Sequence, residues 1–355
     1  MSNPSTGHQR SGIELALLAA ALFGASTPLA KALLNGTSPQ VLAGLLYLGS
    51  GCGLVLVWAA RRRRGAPAES PIMRRDVPWL AGAIASGGVV APALLMAGLA
   101  RTPASTASLL LNLESVFTAV LAWVVFRENV DRRIVLGMGA IVAGGALLSW
   151  DGAVSLTGMP GPLLVAAACL GWAVDNNLTQ RISAGDPVQI AALKGLVAGA
   201  ANLGLGLAFG GRLPEATRVL GAAAVGFLGY GVSLVLYVLA MRALGTARTG
   251  AYFSLAPFVG AAIGLVLFGE HLTPVFTLAA GLMGLGLWLH LSERHLHEHT
   301  HAPLGHAHRH AHDEHHQHPH SAHDPQGEPH THWHEHARLV HSHRHYPDIH
   351  HRHPH

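Results

Sequence analysis

Glu114, in the apolar run "LNLESVFTAVLAWVVF", and Asp175, in "GWAVDNNLTQ", are carboxylates set inside otherwise hydrophobic stretches. An ionisable side chain at membrane depth costs about 2.5–3.5 kcal/mol on insertion scales, so each such residue is a functional candidate. Glu114 suits two tasks, meeting a cationic group of a solute or cycling a proton; its structural alternative is a hydrogen bond locking two helices. On an α-helix Glu114 shares a stripe with Leu111 and Thr118, whereas Asn112 lies about 200° away with Ser108 and Ser115, so only one stripe faces a central cavity squarely. Trp172, Asp175, Asn176 and Thr179 make a common face of the second stretch, lining either a solute path or its cytoplasmic mouth. Lys194 can pair with Asp175 or Glu114, or receive a carboxylate; Lys31 lies near a helix end, where snorkelling explains it equally well. Tyr230, Ser233 and Tyr237 form an i, i+3, i+7 stripe for a cavity wall or for helix packing. Glu128 and Glu270 close their apolar runs as end-of-helix groups. Pro28, Pro92 and Pro257, inside apolar runs, free backbone carbonyls.

A second chemistry sits apart. Of 27 histidines, all but His8, His271 and His290 lie from His295 onwards. Neutral imidazole suits zinc, nickel, cobalt and copper, and His306, His308, His310, His312, His315, His316, His318 and His320 offer interchangeable sets of ligand nitrogens. Imidazole also titrates near neutrality, so pH sensing is a further use. The segment is too poor in apolar residues to build a core, and it is expected to be disordered.

The elements that hold these residues follow from composition. The 355 residues are 50% hydrophobic and 12% charged, far below the roughly 25% charge of soluble domains, and mean hydropathy is +0.34 even with the polar tail. The 42 glycines suit helices that approach closely in lipid. Cys52 and Cys169 lie in apolar runs and exclude a disulfide framework. Arginines cluster in short loops, which marks membrane orientation and argues against nucleic acid. The first apolar run is too long for the core of a cleavable signal peptide and is expected to stay as an anchor.

With about 20 apolar residues per crossing, spans are expected near residues 12–34, 38–60, 78–100, 104–126, 133–151, 160–183, 187–209, 217–242, 247–269 and 272–291. The loops after the even-numbered spans hold Arg61, Arg62, Arg63, Arg64, Arg74, Arg75, Arg127, Arg132, Arg133, Arg181, Arg242 and Arg248, against Arg101, Arg212 and Arg218 in the alternate loops. The positive-inside rule then places both termini in the cytoplasm.

The chain also repeats itself. "LNLESVFTAVLAWVVFRENVDRR" from residue 111 aligns with "FSLAPFVGAAIGLVLFGEHLTPV" from residue 253, so that Phe126 and Glu128 fall on Phe268 and Glu270, and "FGASTPLAK" corresponds loosely to "LGWAVDNNL". Five spans per copy is odd, so the second copy enters the membrane inverted, as in secondary transporters. These motifs, with the Gly-rich "GMGAIVAGGALL" and "AAGLMGLGLWL", resemble the paired EamA domains of the drug/metabolite transporter superfamily over roughly residues 12–291. Where the family pattern often has Pro after the span-four Glu, this chain has Ser115, while the second copy keeps Pro257.

The resemblance implies a ten-helix carrier of small organic solutes working by alternating access. The reading is an all-α membrane protein of two inverted five-helix repeats, residues 12–151 and 160–291. A cytoplasmic segment (1–11) precedes them, a linker (152–159) joins them, and a histidine-rich cytoplasmic tail (292–355) follows. The expected function is secondary active export of a small polar metabolite, such as an amino acid, across an inner (plasma) membrane. Glu114, Asn112, Trp172, Asp175, Asn176, Lys194, Tyr230 and Tyr237 are the solute-binding candidates. No motif for catalysis or nucleotide binding is present, so an enzyme is not expected, no cofactor is required, and a gradient or exchange supplies the energy. Expected partners are the bilayer, a solute and divalent metal ions; a monomer and a homodimer fit equally. Two alternatives stand beside this: a Ni/Co/Zn efflux carrier fed by the tail, and a membrane-anchored metal buffer.

Overall fold

The computed structural model describes residues 4–64, 72–126, 132–149, 161–180, 182, 186–244, 249, 252–291, 296–301, 304–310, 330–336 and 339–344. From residue 4 to 291 the described chain is helical with short turns. The first half contains α1 (Pro4–Leu33), α2 (Pro39–Arg63), a 3₁₀ turn (Arg74–Asp76), α3 (Val77–Ala83), a π-helical stretch (Ile84–Val90), α4 (Ala91–Leu99), α5 (Ala104–Leu110), α6 (Leu113–Phe126) and α7 (Arg132–Ser149). The second half contains α8 (Gly161–Gln180), α9 (Pro187–Ala208), α10 (Ala216–Gly226), a second π-helical stretch (Phe227–Val232), α11 (Ser233–Leu244), α12 (Ala256–Phe268) and α13 (Pro274–Leu291).

Among the described residues six continuous helical runs are long and apolar enough to cross a bilayer: Gly12–Leu33, Pro39–Arg63, Arg74–Leu99, Ala104–Leu121, Pro187–Ala208 and Ala216–Ala240. Val135–Ser149, Ala256–Phe268 and Pro274–Leu289 are shorter apolar helices. Large apolar side chains face outwards, among them Leu56, Leu220, Val266 and Trp288. A water-soluble surface would not carry so many, whereas lipid tails solvate them without penalty.

Packing is reciprocal between the halves. The first helix, α1, lies against α11 and α12, while α8 lies against α4 and α6; α2 meets α9, and α7 meets α13. The α2–α9 seam is built on glycine: a Cβ at Gly44 would sit 2.5 Å from the Leu203 backbone nitrogen, and one at Gly195 would stand 2.6 Å from the Gly51 nitrogen. Hydrogen in place of a side chain lets the backbones touch, which is how helices associate in lipid. The central core includes Leu42, Leu46, Leu95, Leu109, Leu110, Ile141 and Met283, each at most 1% exposed.

In the tail, the described residues form β1 (Leu296–His301) paired antiparallel with β4 (Leu339–Arg344), and β2 (Leu304–His310) paired with β3 (His330–His336). The signal was legible in "HTHWHEH" and "LVHSHR", where histidine recurs at every second residue beside Thr, Trp, Leu and Val. A period of two is the strand period, and a ladder satisfies backbone groups without a core.

Candidate functional site

The site begins with a proline. Pro92 has no N–H to return to the carbonyl four residues earlier, Gly88 O, and just before it Ala91 N reaches back five residues to Ser86 O. The π geometry leaves the Gly87 carbonyl without a helical donor, since Ala91 N is directed to Ser86 O and Pro92 has no N–H, and Pro92 also removes the α-helical donor of Gly88 O. Side chains from three other helices supply them. Tyr47 Oη of α2 and Trp172 Nε1 of α8 each donate to Gly87 O at 3.0 Å, and Asn202 Nδ2 of α9 donates to Gly88 O at 2.8 Å. Asn202 in turn accepts from Gln40 Nε2 at 2.7 Å. The unwound carbonyls thus tie α2, α8 and α9 to one point on the third helical run.

One turn beyond Trp172, Asp175 forms an ion pair with Lys194 of α9: Nζ lies 2.6 Å from Oδ1 and 2.7 Å from Oδ2. Thr179 completes the group, donating to Asp175 Oδ1 at 2.7 Å and standing 3.2 Å from Lys194 Nζ. The pair is largely withdrawn from solvent, with side chains 8% and 15% exposed. The next residue, Asn176, points elsewhere and donates from Nδ2 to Glu114 Oε1 of α6 at 2.7 Å. Glu114 is half-buried and Asn176 exposed, and their contact joins the first half to the second. Consecutive residues of α8 therefore serve two sites: Asp175 builds a closed ion pair, and Asn176 reaches across to Glu114.

Aromatic rings continue from there. Tyr47 stacks on Tyr230 with centroids 5.5 Å apart, Tyr230 meets Phe23 edge-on at 6.0 Å, Phe23 meets Phe253 at 5.3 Å, and Phe253 meets Tyr237 at 4.8 Å. Glu114 lies within electrostatic range of Tyr47 and Tyr237. Both stripe tyrosines are thus in one cluster, while Ser233 is turned away, donating to Ala19 O at 2.9 Å.

Of the sequence candidates, Glu114, Trp172, Asp175, Asn176, Lys194, Tyr230 and Tyr237 come together by these contacts. Asn112 does not. It is buried, donates to Leu109 O at 2.9 Å and faces Met283 Sδ at 4.0 Å, on the seam with α13. A helix break at Leu111–Asn112 separates it from the Glu114 face. Tyr47, Phe23, Phe253 and the Gly87 carbonyl escaped the sequence reading. A lone tyrosine or phenylalanine in an apolar run carries no distinguishing signal, and a freed carbonyl shows only through Pro92.

Two further candidates tie helix ends. Glu270 accepts from the backbone nitrogens of Ala104 at 2.7 Å and Ser105 at 3.0 Å, and also from Ser105 Oγ. Lys31 Nζ donates to Leu99 O at 2.8 Å and to Thr102 O, a bonded role in place of snorkelling. Glu128 lies outside the described residues, as do the side chains of His306, His308 and His310 and the whole of His312, His315, His316, His318 and His320. Among the described residues no three His, Cys, Asp or Glu side chains are grouped to hold a metal ion. Cys52 and Cys169 are free thiols, as expected.

Comparison with known proteins agrees with this architecture. The profile of the EamA-like transporter family matches residues 10–150 and again 159–292. An uncharacterized transporter of Methanothermobacter thermautotrophicus (strain Delta H) is 28% identical over 283 residues, covering 76% of this chain and 81% of the relative. A solved crystal structure superposes with a TM-score of 0.59 at 19% identity, over 78% of this chain and 95% of the other, a likeness of fold.

Proposed function

This chain belongs to the EamA-like transporter family and is a multi-pass membrane transporter; on that premise we propose that it carries a small polar metabolite, such as an amino acid or a related compound, by alternating access. The carrying observation is the Glu114–Asn176 contact: a half-buried carboxylate of α6 and an amide of α8, one from each half, meet at 2.7 Å. Polar groups from two halves converging inside a membrane bundle are what a solute site between repeats requires. No chemical conversion is involved; the chain binds, reorients and releases.

The architecture we assign is ten transmembrane helices in two inverted five-helix repeats. Three things support it: the recurrence of the residue 111–133 motif from residue 253, the π-helical stretches in the third run of each half, and the reciprocal packing of α1 and α8. The arginine bias supports cytoplasmic termini in an inner membrane and hence a cytoplasmic tail. We assign the direction as export and the tail as a Zn, Ni, Co or Cu binder, on its density of imidazole.

A metal efflux carrier fed by that tail is the second reading, favoured by the histidines from His295 onwards alone. Reconstituted full-length protein, assayed for flux of amino acids, related metabolites and divalent ions with and without residues 295–355, separates the two. Metabolite flux that persists without the tail upholds the main reading; metal flux that disappears with the tail replaces it.

A further inference from the structure

The tail ribbons carry a pattern that neither strand holds alone. The β2–β3 ladder sets His306 opposite His334, His308 opposite His332 and His310 opposite His330. The β1–β4 ladder sets His297 opposite His343 and His299 opposite His341. The alternate residues of these four strands, which form the other face of each ribbon, include no histidine; in β2–β3 they set Ala307 against Trp333 and Arg309 against Thr331.

Alternation alone puts the histidines of one strand on one face. Only the register brings the histidine faces of two strands together. A slip of one residue would set His306 opposite Glu335 or Trp333, and His299 opposite Val340 or Ser342. In an antiparallel ladder opposed Cα atoms stand about 4.5–5.5 Å apart, and next-but-one residues of a strand about 7 Å apart. Two neighbouring pairs are therefore four imidazole-bearing positions at the corners of a small rectangle. Four nitrogens in such an array suit the square geometry of nickel and copper. Each sheet has only two strands, and an isolated two-stranded ribbon is marginal in water. An ion bonded to both strands adds its binding energy to the ladder.

Resting on the reading of the tail as a metal binder, we propose that its tight sites are two cross-strand histidine quartets. His306, His308, His332 and His334 form one, and His297, His299, His341 and His343 the other; each takes one divalent ion of the nickel and copper kind, which fastens strand to strand. Histidines outside the quartets add weaker capacity.

The test exchanges neighbouring residues, so that composition, charge and histidine number stay fixed while the histidine face changes. The β2 swap is His306→Ala, Ala307→His, His308→Arg and Arg309→His; the β3 swap is Thr331→His, His332→Thr, Trp333→His and His334→Trp. The full-length chain, purified in detergent through a tag without histidine, is titrated with nickel chloride by calorimetry at about pH 7.5, where imidazole is neutral. The native chain is expected to take up about two ions tightly, and either swap alone about one, because histidines then face non-histidines across the ladder. Both swaps together restore about two, since the quartet reassembles on the other face. Equal tight capacity in all four chains, or a combined variant no better than either single swap, overturns the inference and leaves the tail a metal binder by histidine number alone. No tight binding by the native chain overturns both.

Discussion

The Asp175 carboxylate stands where a side chain at Gly87 would have to go: a Cβ built on Gly87 overlaps Oδ2, Cβ and Cγ of Asp175. Gly87 thus does two things. Its carbonyl holds Tyr47 and Trp172, and its missing side chain lets the Asp175–Lys194 pair lie against the π-helical stretch. Gly87→Ala forces one of them to move. Overpacking of this kind costs about 1–3 kcal/mol, and the expected result is a lowered midpoint of thermal unfolding in detergent together with loss of solute flux. An unchanged midpoint with full flux would show that Asp175 yields freely.

Asp175→Ala should be worse than removing both partners. The single change leaves the Lys194 ammonium enclosed without its counter-ion, for which about 3–5 kcal/mol is typical, whereas an apolar pair of similar volume is often neutral. The Asp175→Ala/Lys194→Met double variant is therefore expected to unfold at a higher temperature than Asp175→Ala alone. The reverse order would mean that the pair contributes little.

Glu114→Gln keeps the hydrogen bond to Asn176 and removes the charge. Proteoliposomes carrying this variant are expected to lose proton-coupled flux while the protein remains inserted and monodisperse; flux equal to the parent removes Glu114 from the site.

Glu270→Ala should act on stability without touching solute affinity. Three donors at Ala104 and Ser105 lose their acceptor, a capping loss of about 0.5–2 kcal/mol. Thermal unfolding with and without ligand reads the two effects separately.

Deleting residues 292–355 is expected to abolish high-stoichiometry binding of nickel or zinc to purified protein, measured by equilibrium dialysis, and to leave metabolite flux in place. Metal binding retained by the truncated chain would place ligands in the helical body.

The helices were legible because length and hydropathy define them: Pro39–Arg63 lies on the expected 38–60, and Pro187–Ala208 on 187–209. The Lys194–Asp175 pairing was one of the options that residue types allowed, and Thr179 fell on the expected face. The separation of Asn112 from the Glu114 face was legible in the roughly 200° between them on a helical wheel, whereas the turn at Leu111–Asn112 that breaks the helix there was not. The Asn176–Glu114 contact joins residues 62 positions apart, and no local pattern encodes such a meeting. Pro92 did announce freed carbonyls, but which side chains would satisfy them depends on tertiary packing.

The turn from Leu99 to Ser105 is gripped at both ends by opposite charges. Lys31 sits at the carbonyl end of α4, where the helix dipole is negative, and Glu270 at the amide end of α5, where it is positive. Exchanging the two, Lys31→Glu with Glu270→Lys, would conserve net charge yet set like polarity against like at both helix termini. The clasp is therefore directional, and its polarity is written into which way each helix runs.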